Sequence, residues 1–178
     1  MTTKKELIEQ TNLAFEFIQK LYLEVSYLIK EIEGLLSEEQ ERFVIGKPGG
    51  YGINARSSNG LEAASVNYWL LRRLSVFFVP EDNTTKTAQT VTKITDTLKV
   101  LYVQILLNTG KGHQPEIYSG VLYNIQIKPN SKWIKKFENL MGHLEYNYNK
   151  FVREGNKIKH KDSYMSFDGE LIKNNLYG

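Results

Sequence analysis

The chain has 178 residues, of which 41% are hydrophobic and 24% charged, a composition typical of a globular protein. It contains no cysteine, so disulfide frameworks, thiolate nucleophiles and cysteine-ligated zinc or iron–sulfur sites are excluded. The net charge of +3 is unevenly distributed. Residues 1–42 carry five Lys/Arg and nine Asp/Glu, whereas residues 128–161 carry nine Lys/Arg and three Glu, a balance of +6.

The first residues do not have the pattern of an export signal. Lys4 and Lys5 are followed by Glu6 and Glu9, where a signal peptide has an uninterrupted apolar run. The longest nearly apolar segment, residues 98–107, is far shorter than the roughly 20 residues that cross a bilayer. We therefore expect a cytoplasmic protein with no membrane partner.

Residues 7–35 have the period of a long helix. One apolar stripe follows alternating spacings of four and three: Leu7, Thr11, Ala14, Ile18, Leu21, Val25, Leu28, Ile32 and Leu35. A second row repeats every seven residues beside it: Ile8, Phe15, Tyr22, Ile29 and Leu36. Because the two rows make a face wider than a two-stranded coiled-coil seam, the pattern predicts a helix laid across a sheet or into a bundle.

The middle of the chain has the pattern of strands. Residues 43–45 predict a short strand, and three longer strands are predicted at residues 67–79, 98–107 and 117–128, where β-branched and aromatic residues are frequent.

A second helix and a hairpin are expected after these strands. Ser131 is the predicted cap of a helix that buries Phe137 and ends near Glu145. Asp168-Gly169 predicts a tight turn between two short strands. The fold class is therefore α+β: a single domain over residues 1–178, with a mainly antiparallel sheet covered by a long N-terminal helix and a shorter C-terminal helix, and with a C-terminal hairpin.

Glycine is most frequent in residues 46–52. The run Val44-Ile45-Gly46-Lys47-Pro48-Gly49 resembles the Gly-x-x-Gly loop of KH domains, which clamps a single-stranded nucleic-acid backbone. The resemblance covers these six residues, and residues 57–60 depart from the helix that follows in that family. The alternatives are a connecting loop and a small-ligand site formed by this loop with Arg56.

A metal-dependent nuclease is the enzymatic alternative. Gln126-Ile127-Lys128 fits the acid/Gln-x-Lys element of such enzymes, with Glu116 as the upstream partner. A strand face with alternating polar residues explains the same sequence.

The three histidines do not suggest a catalytic site. His113, His143 and His160 stand in no spacing with serine or aspartate that predicts nucleophilic catalysis, and we expect them to be solvated. No chemistry is assigned to His160-Lys161-Asp162. No catalytic residue, metal ligand or cofactor is predicted.

The basic third of the chain gives the strongest functional signal. Six lysines are predicted to form one positive surface that binds RNA or DNA: Lys132, Lys135, Lys136, Lys157, Lys159 and Lys161. An ordinary solvated surface is the alternative. The sequence thus favours a non-catalytic interaction or adaptor subunit of a larger prokaryotic-type assembly, such as a ribonucleoprotein or defence complex, with protein or nucleic-acid partners.

Overall fold

The computed structural model describes residues 3–38, 41–47, 50–54, 73–85, 90–91, 94–107, 114–131, 136–147 and 150–175. The chain divides into two compact units, Met1–Gln40 and Glu41–Gly178. Within the described ranges, no helix is long and apolar enough to cross a membrane.

The first unit contains the helix α1 (Lys4–Glu38), which confirms the predicted long N-terminal helix. Thr3 caps its start: the hydroxyl of Thr3 accepts from the N–H of Glu6, whose carboxylate accepts from the N–H of Thr3 at 2.6 Å. The main-chain N–H and the hydroxyl of Thr3 both donate to the carboxylate of Glu6, and these two hydrogen bonds lower its pKa. Of the residues of α1, Val25 and Ile29 are buried, and the remaining members of the two apolar rows are half-buried or exposed.

The described part of the second unit is built on one antiparallel sheet of eight strands. These are β1 (Phe43–Ile45), β2 (Tyr51–Asn54), β3 (Arg73–Pro80), β4 (Val100–Leu106), β5 (Glu116–Ile127), β6 (Val152–Glu154), β7 (Lys157–Lys161) and β8 (Met165–Asn175).

The strand order is β1-β3-β4-β5-β8-β7-β6, with β2 also pairing with β3. A 3-10 turn, Glu81–Asn83, follows β3. The predicted antiparallel sheet and the α+β class are confirmed. Residues 67–72 of the first predicted long strand lie outside the described residues.

The helix α2 (Phe137–Asn147) covers one face of this sheet. Phe137, Leu140 and Leu144 share a buried core with Leu122 of β5 and Ile158 of β7. The apolar spacing of the predicted second helix therefore identified its buried face correctly.

The start of α2 differs from the prediction. The helix begins at Phe137, because Lys136, the residue before it, lies in a bend. Ser131 is buried and donates its main-chain N–H to the carbonyl of Lys128 at 2.9 Å, in a turn that follows β5. Residues 132–135 lie outside the described residues.

The C-terminal hairpin is confirmed, but its turn is not at Asp168-Gly169. The turn that joins β7 to β8 lies at residues 162–164, and Asp168 and Gly169 pair with β7 within the continuous strand β8. A Cβ atom on Gly169 would lie 2.7 Å from the carbonyl oxygen of Val121. Glycine is needed here because β5 approaches closely, not because the chain turns.

Candidate metal centre

Asp162 occupies the turn between β7 and β8. Its Oδ1 accepts hydrogen bonds from the main-chain N–H groups of Tyr164 (2.7 Å) and Met165 (2.8 Å), and its own N–H donates to the carbonyl of Met165 (3.0 Å). This is the pattern of an Asx-turn, in which an aspartate side chain fixes the backbone that follows it. The carboxylate is therefore held in one orientation, with Oδ2 available to other groups.

The same turn is tied to the end of β5. Lys128 donates its main-chain N–H to the carbonyl of Tyr164 at 2.9 Å, and its ammonium group donates to the carbonyl of Asp162. These bonds hold the turn against the residues that leave the central strand.

His160 reaches Oδ2 of Asp162 from β7. Its side chain is buried, because it alternates with exposed lysines and points to the sheet face that α2 covers. The imidazole stacks on Phe167 with ring centroids 5.1 Å apart, and it meets Phe151 edge-on. In this position its Nε2 lies 3.0 Å from Oδ2 of Asp162.

His143 reaches the same oxygen from α2. Its Nε2 lies 2.7 Å from Oδ2 of Asp162, and its side chain is 9% exposed. The ring meets that of Tyr164 edge-on, with centroids 5.6 Å apart. The burial of Leu144, the next residue, fixes the helix against the sheet and so places His143 beside the turn.

The hydrogen bonds keep the carboxylate ionised. Partial burial raises the pKa of Asp162, but the N–H groups of Met165 and Tyr164 and the two imidazoles together lower it, and the net pKa lies well below its usual value. An ionised, pre-oriented carboxylate beside two imidazoles is a donor set that binds divalent transition metals.

The spacing of the three side chains fits an ion. One ligand atom from each of His143, His160 and Asp162 lies within 4.8 Å of the other two. Zinc bonds of about 2.0–2.2 Å in a tetrahedron put ligand atoms about 3.3 Å apart. The two imidazole nitrogens must therefore each move about 0.3–0.6 Å away from Oδ2 of Asp162, and the two nitrogens, which lie within 4.8 Å of each other, must adopt the same spacing.

The expectation that the histidines are solvated was therefore wrong for His143 and His160. His113 lies outside the described residues. The members of this cluster come from a helix, a strand and a turn, so no spacing in the sequence predicts that they meet. The available signal was His160-Lys161-Asp162, where a strand carrying a histidine meets an aspartate able to form a turn.

The residues of the nuclease alternative do not converge. Glu116 begins β5 and Gln126 lies near its other end, which separates them by about 33 Å along the strand. Glu116 forms an ion pair with Lys173 at 2.7 Å, and this contact raises the pKa of Lys173. Lys128 is bonded to the turn at Asp162.

The glycine-rich loop has a packing role. It joins two strands, β1 and β2, that both pair with β3, whereas the KH loop that it resembles joins two helices. The N–H of Gly46 donates to the carbonyl of Phe77 at 3.2 Å, and the carbonyl of Gly50 accepts from the N–H of Phe77 at 2.7 Å. Pro48, Gly49 and Arg56 lie outside the described residues.

The predicted lysine surface is only partly described, since Lys132 and Lys135 fall outside the described residues. Lys136 is exposed immediately before α2, the helix that covers one face of the sheet. The exposed lysines of β7, at positions 157, 159 and 161, point to the opposite side. That the six lysines form one binding surface stays a prediction.

Acidic residues stand opposite two of the β7 lysines. On β8, Glu170 pairs with Lys157 and Asp168 pairs with Lys159, while Lys161 pairs with Ser166. Paired residues of antiparallel strands point to the same side, so the carboxylates offset part of the positive charge.

No family model, curated protein or solved structure matches the chain. Its function is therefore inferred from its own residues and their geometry.

Proposed function

We propose that the chain is a metal-binding interaction domain in which His143, His160 and Asp162 hold one divalent ion of the zinc class. The observation that supports this is the convergence of two imidazole nitrogens, at 2.7 and 3.0 Å, on one oxygen of a carboxylate. The other oxygen is already fixed by two main-chain N–H groups. Secondary hydrogen bonds of this kind orient a ligand before the ion arrives and so favour binding.

The ion has a joining role in this proposal. His143 belongs to α2, whereas His160 and Asp162 belong to β7 and the turn after it, so a bound ion links the helix to the hairpin. Three protein ligands leave a further position for water or for a side chain of a partner. We propose an adaptor and not an enzyme, and the absence of cysteine supports a cytoplasmic location.

The first test measures zinc binding to the full chain by equilibrium dialysis and isothermal calorimetry. We expect one ion per chain, and we expect His143→Gln and His160→Gln each to reduce the affinity at least about 10-fold, since each removes one of three ligands. His113→Gln is the matched control, because it removes the remaining histidine and should leave binding unchanged. Absence of binding, or equal loss in all three variants, contradicts the proposal.

A second proposed function is the binding of a polyanion, such as RNA, by Lys157, Lys159 and Lys161. All three are exposed on one side of β7, about 6.7 Å apart along the strand, which suits a phosphate backbone. Because Asp168 and Glu170 lie opposite in register, the bound polyanion competes with these carboxylates for the lysines.

Binding of a labelled single-stranded RNA at several salt concentrations tests this second function. Replacing the three lysines by Gln should lower the affinity and reduce the salt slope by about 0.7 for each phosphate that the variant no longer neutralises. Asp168→Asn combined with Glu170→Gln should raise the affinity, and Lys99→Gln is the control for removal of one exposed lysine. An unchanged slope in the triple variant, or no binding at low salt, refutes this function.

A further inference from the structure

Two kinds of residue alternate along the apolar stripe of α1 that runs from Leu7 to Leu35. Taken as a heptad repeat, its a positions are all β-branched: Thr11, Ile18, Val25 and Ile32. Its d positions are leucine except for one alanine: Leu7, Ala14, Leu21, Leu28 and Leu35. β-branched residues at a with leucine at d favour two parallel strands in a coiled coil.

A single chain leaves the two ends of this stripe exposed, whereas its middle, from Ile18 to Ile32, is half-buried or buried. Of its nine residues, Val25 is the one that is buried, and Leu7 and Leu35, near the two ends, are 60% and 61% exposed. The flanking row, whose width predicted packing on a sheet or in a bundle, is also exposed at its start, with Ile8 and Phe15 more than half exposed, so these residues can widen the contact beside a two-stranded seam. A contiguous apolar face of this kind on a helix marks a surface for association.

We infer that α1 associates with a second copy of itself as a parallel two-stranded coiled coil. In a parallel pair each a residue packs against a and each d residue against d, so the separation of β-branched residues from leucines fits this arrangement. In an antiparallel pair each layer contains an a residue of one copy and a d residue of the other. Keeping β-branched residues at a and leucines at d would then have no packing role. The inference rests on residues apart from the proposed metal centre.

The residues beside the seam bring no like charges together in a parallel pair. A g residue of one copy lies beside the e residue five positions later in the other, which brings Phe17 next to Tyr22 and Glu24 next to Ile29. Every e position of the repeat is uncharged, so no two carboxylates face each other across the pair. The contact also covers Phe17, which is 67% exposed in one chain.

The area lies at the lower limit for a specific contact. Leu7, Ile8, Phe15, Phe17 and Leu35 are each more than half exposed. A large apolar side chain buries roughly 60–120 Å² when it is covered completely, so at their present exposure these five in two copies contribute roughly 300–700 Å². The half-buried seam residues Ile18, Leu21, Leu28 and Ile32 are at most about a third exposed and add roughly 50–350 Å² in two copies. The total reaches the roughly 1,000 Å² expected of a specific interface only at its upper end.

Light scattering and sedimentation equilibrium of the full chain test the association. The wild type should be a dimer, and Leu7→Lys combined with Leu35→Lys should raise the dimer dissociation constant at least about 100-fold. Both leucines are exposed in one chain, so circular dichroism should show the sheet retained. Leu23→Lys, a 50% exposed leucine on the outer side of the helix, is the matched control and should remain dimeric. A monomeric wild type, or equal dissociation of the control, overturns the inference.

Cross-linking tests the parallel arrangement, and the absence of native cysteines makes the result unambiguous. Ala14→Cys places a thiol at a d position, where a parallel pair brings it against its own copy, so mild oxidation should give a covalent dimer. Ser26→Cys, on the flank of the helix, should not cross-link at a comparable rate. A dimer in which Ala14→Cys fails to cross-link overturns the parallel arrangement.

Discussion

At the scale of single residues, Gly46 shows how a glycine in a suggestive motif serves packing. A Cβ atom at this position would lie 2.5 Å from the ring of Phe137, the first residue of α2. Because Gly46 has no side chain, the first residue of α2 can pack directly against the loop. The same glycine is part of the resemblance to the Gly-x-x-Gly loop of KH domains.

Replacing Gly46 by alanine should destabilise the protein. The added methyl group forces the ring of Phe137 out of its position, and overpacking of this kind costs about 1–3 kcal/mol. Urea denaturation followed by circular dichroism measures the change.

Gly142→Ala is the matched control for that substitution. Nothing lies within 4 Å of a Cβ atom on Gly142, which is an interior residue of α2. Alanine should therefore stabilise the helix by about 0.5–1 kcal/mol. Equal midpoints for the two variants would contradict the packing role assigned to Gly46.

Residue types alone did not predict the His143, His160 and Asp162 cluster. The buried state of His160 follows from its alternation with Lys159 and Lys161, which is visible only once β7 is known to lie with one face under α2. The pairing of Asp162 with two histidines depends on tertiary packing, because His143 is 19 residues away along the chain. Spacing rules describe contacts within an element, and these contacts join three elements.

At the scale of elements, the sequence correctly predicted the helices and strands whose apolar residues recur at regular spacings. The long helix, the strands that became β4 and β5, and the buried face of α2 follow from apolar spacing, and all are present. Local signals were less reliable where the sheet supplied partners on both sides. The Asp168-Gly169 pair lies inside β8, between β5 and β7, since interstrand hydrogen bonds on both edges outweigh the preference of two residues for a turn.

At the scale of the whole molecule, the proposed metal centre makes thermal stability depend on zinc. At a free zinc concentration of about 100 times the dissociation constant, binding adds about 2.7 kcal/mol to the free energy of unfolding. For a chain of this length that corresponds to a rise of about 5–10 °C in the melting temperature. Differential scanning calorimetry with zinc and with a chelator measures the difference.

The same measurement on a ligand variant provides the control. His160→Gln should show at most about half of the wild-type rise, since a loss of affinity of at least about 10-fold leaves the free zinc at no more than about 10 times the dissociation constant of the variant. An equal rise in the wild type and in this variant would place the bound zinc elsewhere in the molecule.

The pairing of β5 with β8 has a consequence for the order in which the protein folds. The register joins Glu116 to Asn175, 59 residues apart, so pairing β5 with β8 closes a long loop. The chain loses the conformational entropy of that loop before the contacts between the two strands can compensate for it. The hairpin of β7 and β8 closes through the three-residue turn at Asp162, and such hairpins form in about 1–10 μs. His160 and Asp162 are thus brought together early and locally, whereas His143 joins them only when α2 docks. An ion captured by the first two residues would then favour the docked helix during folding as well as after it.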